Sequence, residues 1–207
     1  MLDNKLILIG YSGHGIVVSD VARINGLDLL GYAEKEVKLY NPFDLEYLGD
    51  ETNDNFIGWE LNSDFLIGIG DNIIRENVFN LILSKNCKVR TLICKSANIS
   101  PNVSIGQGSF INKNVTVNAF ASIGENVVLN TSCVVEHECI ISKSVHIAPG
   151  AVLAGNVIIG DRSFIGANSV IKQGVRIGKD VIIGAGSVVL KDIPNGGKYV
   201  GNPIRLI

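Results

Sequence analysis

The chain has 207 residues and a formal charge of −2 at pH 7, with 46% hydrophobic and 18% charged residues. That balance describes a globular protein, with no basic excess to hold a nucleic acid or an anionic membrane surface. The apolar run Leu6 to Ile9 is too short for a signal peptide and no segment is long enough to cross a bilayer, so the expected location is the cytoplasm.

Lys5-Leu-Ile-Leu-Ile-Gly10 reads as a strand, Tyr11-Ser-Gly13-His14-Gly15 as a glycine-rich turn, and Ile16 to Arg23 as a helix. Strand, turn and helix in that order open a nucleotide-binding α/β unit, because turn amides and a helix N-terminus both point at a phosphate. The spacing Gly10, Gly13, Gly15 departs from G-x-G-x-x-G, so an ordinary βα turn is the competing reading. Leu27 to Tyr32 gives a second strand, with Glu34 just beyond it where such folds place an acid for a ribose.

Residues 35 to 62 read as loop, with Trp59 packing within it. Asp64 to Gly70 forms a third strand, Asp71-Asn72 a cap, and Ile73 to Ser84 a helix with Ile74, Val78, Leu81 and Ile82 on one face. Val89 to Ile93 supplies a fourth strand. The expectation for residues 1–92 is a small Rossmann-like βαβαβ domain.

From Ile93 to Pro194 the period changes. Every sixth residue is aliphatic, from Ile93, Ile99 and Ile105 through to Ile183 and Val189, for seventeen hexads without an insertion. Four residues beyond each of these, the side chain is Ala, Val, Ser or Cys from Ala97 to Ser187. A period of six fits neither an amphipathic helix nor a simple strand alternation. It fits a solenoid of short parallel strands, with one large and one small residue per hexad pointing inward. Cys133 and Cys139 fall on the small inward position, and Cys87 and Cys94 flank the start of the repeat. No CxxC or Cys/His spacing calls for zinc, so the expectation is buried thiols and no metal.

The resemblance of this repeat is to the left-handed parallel β-helix of the hexapeptide acyltransferases, in which three hexads make one coil. On that basis the β-helix covers 93–194, with 195–207 as a C-terminal tail, and residues eighteen apart are vertical neighbours. The chain has only three histidines, and two are in the repeat, His137 and His146. Neither occupies an inward position, so both point outward. A carboxylate beside a histidine fixes its tautomer and stabilises the imidazolium, as a general base requires. His137 has two candidates, Glu136 and Glu138. One coil above it is Gly155 and one below is Ala119, both small, which leaves an open groove beside the ring. His146 has Val128 below and Phe164 above.

Asn130-Thr-Ser-Cys-Val-Val-Glu136-His137-Glu138, His146-Ile-Ala-Pro-Gly150 and Ala154-Gly155-Asn156 resemble the bacterial nucleotide-sugar acetyltransferases. That family includes UDP-4-amino-sugar N-acetyltransferases of the bacillosamine type, perosamine-type enzymes and the related sialic acid O-acetyltransferases. The likeness extends to Gly10-Tyr-Ser-Gly-His14-Gly15, Gly68-Ile-Gly70-Asp-Asn72 and Val200-Gly201-Asn-Pro203; Ala33-Glu34 and Asp71 depart from the usual pattern. The resemblance implies an acetyl-CoA-dependent homotrimer that acetylates the amine of a nucleotide-linked 4-amino-4,6-dideoxy sugar, UDP first, for surface glycan or glycoprotein synthesis. It implies Gly13, His14 and Gly15 at the diphosphate, and Glu34 and Asn72 at the ribose and base. His137 would be the base, Glu138 its orienter and the Gly155 amide the oxyanion donor. His146 and Asn130 would position thioester or sugar, and Gly166, Ala167, Gly184 and Ala185 would admit the pantetheine arm. Competing readings keep the fold with a sialic acid hydroxyl as acceptor, or make the solenoid a scaffold. A carbonic-anhydrase-like site would need a third histidine in the solenoid.

Overall fold

The computed structural model describes residues 5–207, and their contacts divide the chain into two compact units, Met1–Leu92 and Ile93–Ile207. In the first, β1 (Leu6–Ile9), α1 (Gly13–Ile24), β2 (Leu29–Ala33), β3 (Glu46–Gly49), β4 (Asp64–Ile67) and α2 (Asn72–Ser84) follow in chain order. The sheet runs β3-β2-β1-β4 and every pairing is parallel. All four residues of β1 are buried, which is why it reads as an unbroken aliphatic run rather than an alternation.

Three glycines let this unit close. A Cβ on Gly15 would overlap the Gly10 carbonyl, and one on Gly68 would overlap both that carbonyl and the Gly15 backbone. The helix therefore packs directly on the strand ends.

The structure corrects four expectations here. Ser12, extended at φ −109°, is the cap residue, so Gly13-His14-Gly15 is the first turn of α1 and not a loop before it. A strand, β3, lies inside the stretch read as loop; only Leu48 of its residues is buried, so its pattern was too weak to see. Val89 makes only an isolated bridge to Phe65, and the fourth strand of the sheet is β3 at the opposite edge. Ile74 is exposed, and the face that α2 buries carries Arg75, Val78, Phe79 and Ile82.

The second unit is a left-handed parallel β-helix of two-residue strands. From Ile111 to Val189 the inward residue of each strand is the aliphatic first position of its hexad, as in Leu129, Val135, Ile141 and Ile147, all essentially buried, whereas Ile93 at the start of the repeat is exposed. Each coil gives one strand to each of three sheets. Phe110–Ile111, Val128–Leu129, His146–Ile147, Phe164–Ile165 and Ile182–Ile183 succeed one another in the first sheet. Thr116–Val117, Val134–Val135 and Val152–Leu153 lie in the second, and Ser122–Ile123, Ile140–Ile141 and Ile158–Ile159 in the third. The eighteen-residue register holds at each of these pairs.

The corners have one conformation. The fourth position of every hexad from Gly108 to Gly186 has a φ between 55° and 74°, in the left-handed region. Gly, Asn, Ser and Asp tolerate that backbone and fill most of these corners. Three exceptions are Phe120, Glu138 and Arg162.

Residues 195–207, expected as a tail, instead extend the first sheet. Lys198–Val200 pairs in parallel with Ile182–Ile183, and Arg205–Leu206 folds back antiparallel upon it. Cys133 and Cys139 lie in the solenoid core as unpaired thiols, and burial pushes the Cys133 thiol up to about 12.

Candidate functional site

His137 and Glu138 occupy the third and fourth positions of their hexad, at the corner between the second and third sheets. The ring Nδ1 is 3.1 Å from Glu138 Oε2, and both side chains are about half exposed. A carboxylate only accepts, so Nδ1 carries the proton and Nε2 carries the lone pair. Of the two candidate partners, Glu138 makes the contact. Asn156, one coil above in the same corner column, donates from Nδ2 to the same Oε2 at 3.3 Å. The imidazole lies over Gly155, where a Cβ would overlap Nε2. The groove expected beside the ring is therefore occupied by the ring itself. The Gly155 N–H takes part in none of the backbone hydrogen bonds between coils, which leaves it available as a donor.

His146 has the vertical neighbours expected of it, Val128 below and Phe164 above. It points outward from the first sheet, as its hexad position requires, but it is only 7% exposed. Phe164 meets it edge-on at 5.1 Å, and Asn130 Nδ2 is 3.2 Å from its Nε2. In a triangular coil, the corner between two faces lies opposite the third face. His137 and His146 therefore stand on opposite sides of one prism.

The remaining solenoid candidates fall on one side. Asn130, Gly166, Ala167, Gly184 and Ala185 all lie at the corner following the first sheet, on the His146 side. Gly166 and Gly184 have a nearer reason to be glycine: a Cβ on Gly166 would collide with the backbone of the next coil, and one on Gly184 with Val200. Gly106, Gly124, Gly160 and Gly178 show the same crowding at the corner following the third sheet, so glycine at the second hexad position serves stacking. Ala167 and Ala185 face outward as small side chains.

In the N-terminal unit the candidates gather at the carboxyl ends of the parallel strands, where open α/β sheets bind ligands. Gly13 is exposed with open space where a Cβ would stand, whereas Gly15 is buried and its requirement is packing. His14 is pushed down to about 4 by burial, helped by the Arg75 guanidinium, so it is a neutral ring at pH 7. Arg75 itself is buried under the turn after β4, donating to Gly70 O at 3.1 Å and to Asn72 Oδ1 at 2.9 Å. Asn72, expected to reach a ligand, thus spends its oxygen on Arg75, while Asp71 caps α2 through Ile73 N and Ile74 N. Glu34 accepts from the Tyr11 amide at 3.2 Å and pairs with Lys38 at 3.3 Å.

Two residues of this edge were not among the sequence candidates. Arg75 reads as an ordinary helix residue until its burial is known. Glu51, beyond the end of β3, has a buried Oε2 that meets no donor among the described residues; burial, with Asp50 and Glu34 nearby, raises its carboxyl above the usual range.

A hexapeptide β-helix carrying an outward histidine–carboxylate pair, preceded by a parallel α/β unit, defines a hexapeptide transferase. Residues 5–82 match the PglD N-terminal domain, residues 138–173 the bacterial transferase hexapeptide, and residues 156–191 the hexapeptide repeat of succinyl-transferase. The acetyltransferase domain of PglB from Neisseria gonorrhoeae is 32% identical, with a TM-score of 0.92 over 99% of this chain and 100% of that one. A perosamine N-acetyltransferase from Caulobacter crescentus, solved with CoA and GDP-perosamine, is 29% identical with a TM-score of 0.94 over 99% and 97%. WeeI from Acinetobacter baumannii is 26% identical with a TM-score of 0.87 over 98% and 99%. The chain belongs to the bacterial nucleotide-sugar acetyltransferase family and is an enzyme of the acyltransferase class.

Proposed function

We propose that this chain transfers the acetyl group of acetyl-CoA to the amine of a nucleotide-linked 4-amino-4,6-dideoxy sugar, with His137 as general base. The observation that carries the reading is the His137–Glu138 pair, whose geometry leaves Nε2 free to take a proton. The amine attacks the thioester carbonyl carbon while its proton passes to Nε2. The tetrahedral oxyanion meets the Gly155 N–H, and collapse breaks the C–S bond, with the proton returning to the CoA thiolate. Glu138 keeps the ring in one tautomer and stabilises the imidazolium. A sialic acid hydroxyl could use the same base; the N-terminal unit, with the α1 N-terminus at Gly13 free of any side-chain cap, favours a diphosphate-bearing acceptor.

Neither histidine's side of the prism is a whole site. A centre that uses His137 together with Asn130 and His146 draws them from two copies of the chain, which is the support for a homotrimer with its sites in the clefts between solenoids. The thioester and pantetheine arm would run on the His146 side, past Ala167 and Ala185, and the diphosphate would lie at Gly13 and His14, with Glu34 toward the ribose. UDP is the proposed nucleotide and GDP the competing one, because the similar Caulobacter enzyme was solved with GDP-perosamine. No helix among the described residues is long and apolar enough to cross a membrane, and the proposed setting is the cytoplasm, with both substrates dissolved there.

Thiol release from acetyl-CoA, measured against UDP-, dTDP- and GDP-linked 4-amino-4,6-dideoxy sugars and against free and CMP-linked sialic acid, tests this. Turnover on an amino sugar that is lost in His137→Ala supports the reading and names the nucleotide. Turnover on sialic acid alone replaces it with O-acetyl transfer. Activity that survives His137→Ala removes His137 as the base.

A further inference from the structure

Two asparagines of one corner column form a one-way relay that ends on His146. Asn112 is fully buried, and Asn130 lies one coil above it. The Lys113 amide donates to Asn112 Oδ1 at 2.7 Å, which identifies the other end of that side chain as its NH2 group. That group donates to Asn130 Oδ1 and to Thr131 Oγ1, each at 2.9 Å. The Thr131 amide also donates to Asn130 Oδ1, at 2.8 Å. Two independent donors on one atom settle which end of the Asn130 amide is oxygen. The end that meets His146 Nε2 at 3.2 Å is therefore an NH2 group. An NH2 group only donates, so Nε2 must offer a lone pair and the ring proton sits on Nδ1.

We propose that Asn112 is a positioning residue of the transferase: acting through Asn130, it holds His146 in the Nδ1–H tautomer. This rests on the reading of His146 as a residue of the acetyl-transfer site. The opposite tautomer would set the Nε2–H against the Asn130 NH2 group in a nearly buried site. Above Asn130 the column continues as Ala148, Gly166 and Gly184, which carry no side-chain dipoles, so the relay has His146 as its single terminus. Asn112 is too deep in the coil to touch a ligand, and its effect on the reaction can come only through the ring.

The test uses the full-length chain labelled with 15N. With three histidines in the chain, His14→Gln and His137→Gln spectra leave His146 assigned. Two-bond 1H–15N correlation then reads which ring nitrogen carries the proton. The wild-type protein should show His146 protonated on Nδ1. Asn112→Asp keeps the acceptor for the Lys113 amide and removes the donor to Asn130, so the Nε2–H form should appear. With it, kcat should fall about tenfold or more while KM for the acceptor sugar moves less than about twofold, as for loss of one buried donor. Asn112→Ala removes the donor without adding an acceptor and leaves the Thr131 amide on Asn130 Oδ1, so if the aspartate variant does not fold it should show the same shift toward the Nε2–H form at smaller amplitude. A wild-type His146 protonated on Nε2 overturns the proposal, as does a variant whose tautomer and kcat are both unchanged. Acetyl transfer absent from the wild-type enzyme on every amino sugar, with the tautomer as expected, removes the functional reading and leaves the relay standing.

Discussion

The imidazole of His137 rests on Gly155, the residue eighteen positions later and one coil above, close enough that a Cβ there would stand 2.5 Å from Cε1 and overlap Nε2. The ring and the glycine therefore act as one unit. Gly155 lies outside the left-handed region, so alanine fits its backbone, and the whole cost of Gly155→Ala falls on the ring. The displaced ring loses its alignment with the attacking amine, and kcat should fall on the order of 10²-fold with the melting temperature little changed, within the range general-base catalysis contributes. Steady-state kinetics beside thermal unfolding of the variant check it; full activity would mean that Nε2 is not the proton acceptor.

Glu138 and Glu136 flank the same histidine, and only Glu138 reaches its Nδ1. Glu138→Gln keeps an acceptor for the ring N–H but removes the charge that stabilises the imidazolium, so kcat should drop about tenfold to a hundredfold. Glu136→Gln should leave kcat within about twofold, as expected of a substitution away from the reacting groups. If the Glu136 variant is the damaged one, the pairing differs in the working enzyme.

Much of the solenoid was legible because its rule is local. Each coil repeats the same inward aliphatic, so Ile111 through Val189 could be placed by counting, and the eighteen-residue register alone puts Gly155 over His137. The separation of His137 and His146 was countable too: nine residues are half a coil, which sends them to opposite sides. A ruler of eighteen looks only up and down a column and does not show this. The N-terminal unit was less legible because its cues are not periodic. β3 has a single buried residue, Leu48, and Asn72 is turned inward by Arg75, whose burial follows from tertiary packing that a helical pattern does not reveal. The glycines of the second hexad position resembled a ligand channel, but they answer to the stacking of the next coil.

Phe120 stands directly below Glu138 in the corner column, at φ 63° and 66% exposed. A bulky L side chain in that backbone costs about 1–2 kcal/mol, and asparagine pays less because its short side chain bonds locally. Little packing offsets the cost at so exposed a position. Phe120→Asn should therefore stabilise the solenoid by about 1 kcal/mol, raising the melting temperature about 2–4 °C for a chain of this size. Calorimetry of the variant decides it; an unchanged or lower melting temperature would show that the ring is packed in the assembled protein.

His14 links the stability of the N-terminal unit to pH. Its folded value of about 4 lies below the 6.5 of the unfolded chain, first through burial and second through Arg75. The unfolded state therefore binds more protons between those values, and stability falls as pH drops from 6.5 toward 4. Above pH 6.5 the contribution is complete, and across the window it amounts to about 3 kcal/mol at most. The chain's one tryptophan, Trp59, packs against Phe56 and Phe65 in this unit, so its fluorescence reports unfolding there. Urea midpoints followed at Trp59 should decline from pH 7 to pH 4.5 in the wild type, and His14→Gln, which cannot take up the proton, should flatten the decline. Equal slopes in the two proteins would mean that another group carries the acid sensitivity.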